Sequence, residues 1–236
     1  MITKTILLLF LAAFIPPIVY AIWIRNTEKY NREKWKPIFL SFLWGSTIAI
    51  IAAVILEIIL DYSVAPQVDS LNLHVLSVVV FAPFAEELTK PLALGLKTIR
   101  KELVEPEDGL IYGAVAGLGF SATENLFYGY AFLSEGLMMF LVLIFLRSIG
   151  GCLLHASATA WTGYGYGKKI MKNTSLLRVL PYFIVAIIVH AAYNGMLVFD
   201  IYGATIGLFS ALLFSVITIS YVRKKIIVLD DKNRGR

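Results

Sequence analysis

The sequence is poor in cysteine and in charge. Its one cysteine, Cys152, excludes an internal disulfide and argues against a structural zinc site built on thiolates. Charged residues make up only 16% of the chain, and its longest polar stretches, of about 12 residues, are too short to bury the core of a soluble domain. Three hydrolase motifs are also missing. The absence of HExxH argues against a zincin metalloprotease, that of GxSxG against a serine hydrolase with a nucleophile elbow, and that of GxGD against an aspartyl intramembrane protease.

Apolar sequence dominates what remains. Hydrophobic residues make up 58% of the chain and the mean hydropathy is +0.77, values typical of a polytopic membrane protein. A spanning helix needs about 20 apolar residues. Segments that meet this requirement lie at 5–24, 38–60, 73–96, 110–133, 137–167, 176–198 and 201–222. The sequence therefore predicts an all-α, multi-pass bundle of about seven transmembrane helices in the cell membrane, forming a single domain over 1–236.

Lysine and arginine residues predict the orientation of this bundle. They cluster in the tail and in the loops that follow the first, third and fifth segments. Only Lys4 falls on the other side, and Lys90 and Arg147 lie within segments. Because positive residues concentrate in cytoplasmic loops, we expect the N-terminus outside and the C-terminus in the cytoplasm.

Several polar side chains interrupt the apolar segments. Glu86, Glu87 and Lys90 lie on one turn of the third segment. An ionisable residue at the centre of a spanning helix costs roughly 2.5–3.5 kcal/mol on insertion scales, so its retention indicates a functional site by default. The fourth, fifth and sixth segments contribute Glu124, Asn125, His155, His190 and Asn194. The pattern predicts one buried polar site assembled from four helices.

Helical spacing indicates which side chains can meet. Lys90 lies three residues after Glu87 and four after Glu86, so it can pair with either carboxylate. The two adjacent glutamates project about 100° apart, so one can face the site while the other ties its helix to a neighbour or to Lys90. Arg147, in the fifth segment, either snorkels to the membrane surface or pairs with Glu124.

The residue types suit hydrolysis by activated water. A carboxylate tuned toward neutrality can act as general base, and histidine and amide groups can donate to a developing oxyanion. The motifs that carry these residues are EELTK at 86–90, FSATEN at 120–125, His155, and HAAYN at 190–194. This set resembles PrsW-type intramembrane proteases, in the superfamily of type II CAAX prenyl proteases and bacteriocin-processing membrane proteases. The resemblance covers roughly 75–200, which we take as the catalytic core.

The resemblance implies an endopeptidase in which a glutamate activates water. Carried over by position, the catalytic residues are Glu86 as base, His155 and His190 as site histidines, and Asn194 as amide donor. The implied supporting residues are Glu87, Lys90, Glu124 and Asn125. No metal or other cofactor is expected. Zinc held by Glu86, His155 and His190 is the less favoured alternative, since two imidazoles and a carboxylate form a known catalytic ligand set.

The resemblance also implies a substrate class. PrsW-type proteases cleave a single-pass anti-sigma factor near the outer membrane face, so the expected partner is a single-pass or membrane-anchored protein within the lipid bilayer. The prenyl-protease pattern has a phenylalanine four residues before its first site histidine, whereas Gly151 stands here, which argues against prenylated substrates. No basic module with interleaved aromatic residues indicates a nucleic-acid partner.

Two other functions are consistent with the same residues. A proton-coupled transporter would use Glu86, Glu124 and the histidines as a proton relay. A non-catalytic scaffold would use the polar cluster only to hold partner helices together.

Overall fold

The computed structural model describes residues 2–199 and 203–233, and these residues form helices and turns without a strand. The α-helices are α1 (Ile2–Arg25), α2 (Trp35–Trp44), α3 (Ile50–Val64), α4 (Ser70–Leu76), α5 (Ala82–Thr89), α6 (Lys97–Arg100), α7 (Asp108–Phe132), α8 (Leu137–Lys172), α9 (Leu180–Val198) and α10 (Ala204–Asn233). The predicted all-α fold class is confirmed. Of the basic residues used to predict the orientation, Arg234 and Arg236 lie outside the described residues, as does the side chain of Lys4.

Short π-helical and 3₁₀ segments join some of these α-helices into longer continuous helical segments. A π-helical turn at Gly45–Ala49 connects α2 to α3, and a second at Ser77–Phe81 connects α4 to α5. A 3₁₀ segment, Lys90–Gly95, continues α5. Pro91 lies in this segment and has no N–H to continue the α-helical hydrogen bonds, which accounts for the tighter winding there.

Six helical segments in the described part of the chain are long and apolar enough to cross a membrane. They are Thr5–Arg25, Trp35–Gln67, Ser70–Gly95, Leu137–Lys172, Leu176–Val198 and Ala204–Lys232. Each corresponds to one of the predicted segments. The remaining prediction, 110–133, coincides with α7, a helix of 25 residues that is less apolar because it carries Glu124 and Asn125. The chain is a multi-pass membrane protein, while the count of seven spans and the orientation stay predictions.

Burial separates an inner helix from a lipid-facing shell. From its first residue to Ala122, α7 is buried without interruption, and it packs against α1, α2 and, most extensively, α8. Large apolar side chains on the outer helices point outward instead, among them Leu7, Phe10, Ile55, Ile58 and Leu213. Such a surface suits hydrocarbon rather than water.

Glycines on α7 allow the close contact with α8 that positions the polar site. A Cβ at Gly117 would overlap the carbonyl oxygen of His155, and one at Gly113 would lie 2.6 Å from the carbonyl oxygen of Thr159. Small residues at such crossings let the two backbones approach closely. This contact brings Glu124 of α7 beside His155 of α8.

We predict that Gly117→Ala destabilises the fold by about 1–3 kcal/mol, because the added methyl group overpacks the α7–α8 contact. The measurement is thermal unfolding in detergent, followed by reaction of the buried Cys152 thiol with a fluorogenic reagent. Gly95→Ala is the matched control, since a Cβ there meets no atom within 4 Å. Equal unfolding temperatures for the two variants would contradict this account of the contact.

Candidate active site

The ammonium group of Lys90 lies at the centre of the polar site. Its Nζ is 2.7 Å from Glu86 Oε2, 3.0 Å from Glu87 Oε1 and 2.9 Å from His155 Nδ1. An ammonium has three N–H donors and no acceptor, so these three acceptors satisfy it completely. The Lys90 side chain is fully buried, and its Nζ also lies 4.3 Å from the ring centre of Phe120. A single buried cation therefore links α5 to α7 and α8.

The two glutamates of α5 have different surroundings. Glu86 lines a cavity of about 430 Å³. Glu87 is fully buried and does not line that cavity; its Oε2 accepts from Thr159 Oγ1 at 2.9 Å, and its Oε1 lies 3.1 Å from His190 Nδ1. As the helical spacing predicts, one carboxylate faces the open space while its neighbour ties α5 to α8 and α9.

Hydrogen-bond partners define the tautomer of His155. Its Nδ1 faces the Lys90 ammonium, which can only donate, so Nδ1 accepts. Its Nε2 lies 2.7 Å from Glu124 Oε2 and donates to that carboxylate. Both ring nitrogens are therefore engaged, and neither is left to donate to a reacting oxygen in this arrangement.

Arg147 extends the network beyond the residues that sequence reasoning assigned to the site. Its Nη2 lies 2.8 Å from Glu124 Oε2, and its Nε donates to Asn125 Oδ1 at 2.7 Å. The guanidinium also lies 4.0 Å from the centre of the Tyr128 ring. Of the two readings left open for Arg147, pairing with Glu124 is the one that the structure contains. The signal was present in the sequence, since Arg147 lies two helical turns before His155 on α8.

The two polar residues of α9 have separate roles in the packing. The ring of His190 stands edge-on to that of His155, with centroids 4.9 Å apart and planes at 88°. Asn194 lines the same cavity, but its Nδ2 donates to the carbonyl oxygen of Val78 at 2.8 Å. Val78 belongs to the π-helical turn before α5, so the amide of Asn194 links α9 to that turn.

The cavity beside these groups is walled by polar and apolar side chains. Glu86, His155, His190, Glu124 and Arg147 contribute to its wall. Further lining residues are Glu57, His74, Leu197 and Val198, near the helix ends that the basic loops predict to be outside. Among the predicted site residues, Glu87, Lys90 and Asn125 do not line the cavity.

Fixed charges in the site do not cancel. The carboxylates of Glu86, Glu87 and Glu124 face the cations of Lys90 and Arg147. With both imidazoles neutral, the group carries one excess negative charge, which one additional proton neutralises.

Comparisons with known proteins agree with this arrangement. A family model described as PrsW family intramembrane metalloprotease matches residues 33–221. Protease PrsW of Clostridioides difficile (strain 630) is 33% identical over 121 residues, which make up 51% of this chain and 50% of that protein. The match thus spans about half the length of this curated relative. No solved structure gives a significant match. The resemblance found in the motifs is confirmed.

The family description includes a metal ion, and the donor set alone would suit zinc. Ligand atoms of Glu86, Glu87, His155 and His190 lie within 4.8 Å of one another. The arrangement, however, does not fit a metal ion, because the Lys90 ammonium contacts three of these four donors and lies among them. A metal ion would have to displace a buried cation that already satisfies the same lone pairs.

We predict that Lys90→Met destabilises the protein by about 3–5 kcal/mol, because it leaves two buried carboxylates without their cation. Lys34→Met is the matched control: the Lys34 side chain is 72% exposed, and its 2.9 Å ion pair with Glu102 is worth at most about 1 kcal/mol. Thermal unfolding in detergent measures both variants. A Lys90→Met protein as stable as Lys34→Met would show that Lys90 does not hold the site together.

Proposed function

This chain belongs to the PrsW family of intramembrane metalloproteases, and from that membership we propose that it is an intramembrane endopeptidase. In this proposal Glu86 activates a water molecule that cleaves a peptide bond of a membrane-associated protein. The supporting observation is that Glu86, His155 and His190, from three helices, converge on the wall of one cavity large enough for water and a stretch of backbone.

Glu86 is the proposed general base. Lys90 binds its Oε2, which leaves Oε1 as the oxygen that takes a proton from water. The resulting hydroxide adds to the scissile carbonyl carbon, and the tetrahedral intermediate carries its negative charge on the former carbonyl oxygen. The proton on Glu86 then passes to the leaving amine as the carbon–nitrogen bond breaks.

His190 and Asn194 are the proposed donors to the oxyanion. Nδ1 of His190 faces Glu87, so its Nε2 is the nitrogen left for a substrate, and it donates when the ring holds the extra proton of the site. Asn194 has two amide hydrogens and gives one to Val78. His155 takes a different role here from the one that the resemblance implies: it holds Lys90 and Glu124 in place.

The proposed substrate is a single-pass or membrane-anchored protein, resembling an anti-sigma factor by family likeness. A peptide bond within a transmembrane helix is shielded by the helix, so the substrate must unwind locally before attack. Glu57, His74 and Leu197 line the cavity toward the predicted outer side. Cleavage is therefore proposed near the outer membrane surface, where an unwound backbone can find hydrogen-bond partners.

We predict that Glu86→Gln lowers the cleavage rate by at least about 10²-fold, because the amide cannot accept the proton of water. Purified wild-type and variant proteins in liposomes are incubated with candidate single-pass proteins, and new termini are mapped by mass spectrometry. Glu135→Gln is the control, since Glu135 is exposed and does not line the cavity. A folded Glu86→Gln protein that cleaves at the wild-type rate would rule out Glu86 as the general base. Ion or solute flux without cleavage would favour a transporter.

We also predict that strong chelators leave the wild-type cleavage rate unchanged, because Lys90 already occupies the space between the potential metal ligands. The measurement compares initial rates before and after dialysis against the chelator. Loss of activity that added zinc restores would contradict the metal-free mechanism while leaving the proteolytic function intact.

A further inference from the structure

A second cluster of buried acids lies at the opposite end of the bundle from the cavity mouth. It joins the loop after α1 to the start of α7 and the last turn of α10. Each member is at most 5% exposed, and the members are Glu28, Glu33, Glu107, Asp108 and Asp230. We refer to these five residues as the acidic cluster. Basic loops predict this end to be cytoplasmic.

Carboxylate oxygens in the acidic cluster lie close enough to share one ion. Ligand oxygens of Glu28, Glu107 and Asp230 lie within 4.8 Å of one another, and a second set joins Glu28 to Glu105 and Asp108. Glu28 belongs to both sets and is fully buried. The two sets of ligand oxygens therefore share Glu28.

No basic side chain of the described residues forms an ion pair with Glu28, Glu33 or Asp230. Nearby guanidiniums turn to the backbone: Arg25 Nε donates to the carbonyl oxygen of Glu33 at 2.6 Å, and Arg32 Nε donates to that of Glu28 at 2.9 Å. Buried carboxylates without a compensating charge are costly.

One carboxylate oxygen in the cluster also lacks a partner. Oε1 of Glu28 is buried and accepts no hydrogen bond. The other oxygen of Glu28, Oε2, accepts the backbone N–H of Glu33 at 3.2 Å. Oε1 of Glu28 is therefore a buried acceptor with no donor, and a bound cation would supply the partner that it lacks.

We propose that Glu28, Glu107 and Asp230 bind a hard divalent cation, Mg²⁺ or Ca²⁺. These ions prefer oxygen ligands, and carboxylates supply both the donors and the charge. The backbone N–H groups of Lys29 and Tyr30, at 2.8 and 3.4 Å, orient the Asp230 carboxylate. Such outer hydrogen bonds are typical of metal-binding carboxylates.

The proposed ion joins three segments that are distant in the sequence. Asp230 lies about two hundred residues from the loop it contacts. Along α7, Glu107 and Glu124 are separated by roughly 25 Å at 1.5 Å per residue, so the cation site is separate from the cavity. Its expected effect is to hold the ends of α7 and α10 against the loop, and this proposal does not depend on protease activity.

The test uses the full-length protein, stripped of metal by a chelator and then titrated with Mg²⁺ or Ca²⁺ in detergent. We expect one of the two ions to raise the unfolding temperature of the wild type and of Asp231→Asn, a control that removes an exposed neighbouring charge. In Glu28→Gln, which keeps an acceptor oxygen for the Glu33 N–H, we expect at least tenfold weaker binding.

A direct measurement on the wild type protects the test against a variant that fails to fold. Mn²⁺, followed by electron paramagnetic resonance, is expected to bind at one equivalent per chain and to be displaced by the stabilising ion. Absence of bound Mn²⁺, or equal binding by Glu28→Gln, would overturn the proposal. The proposal would also be overturned if neither ion changed the unfolding temperature of the wild type and Glu28→Gln unfolded at a higher temperature. That result would indicate that the acidic cluster is protonated.

Discussion

A buried ammonium bound by three acceptors organises the polar centre of this membrane protein. The three hydrogens of Lys90 are shared among Glu86, Glu87 and His155. Each acceptor alone would be costly in a lipid-embedded helix, whereas together they satisfy one cation and each other. The same interaction engages Oε2 of Glu86, a residue that lines the cavity, and leaves Oε1 as the oxygen to which we assign the proposed general base.

The helical frame makes this arrangement possible through small departures from regular structure. Gly117 lets α7 approach α8, so Glu124 can reach His155. The π-helical turn at Ser77–Phe81 presents a backbone carbonyl to Asn194. Such turns are rare and are often found at functional sites. The site therefore depends on irregular backbone as much as on its polar side chains.

Hydropathy predicts the six helical segments that are long and apolar enough to cross a membrane, and helical spacing predicts that Lys90 can pair with either neighbouring glutamate. Other features depend on contacts that no local pattern contains. The motif at 190–194 predicts an amide donor at Asn194, but its hydrogen bond to Val78 depends on a π-helical turn that leaves no periodic signal in the sequence. In the sequence, Glu28 lies in a polar loop and nothing near it indicates a binding site. Only the folded chain brings Asp230 beside it.

In this structure the Lys90 ammonium lies among Glu86, Glu87 and His155, where the proposed metal-free mechanism requires it. The decisive measurement is an experimental structure of the purified protein, with anomalous diffraction recorded at the zinc edge. We expect no anomalous peak among Glu86, His155 and His190, with Lys90 Nζ within hydrogen-bonding distance of Glu86. An anomalous peak at that position, with Lys90 turned away, would contradict the metal-free mechanism.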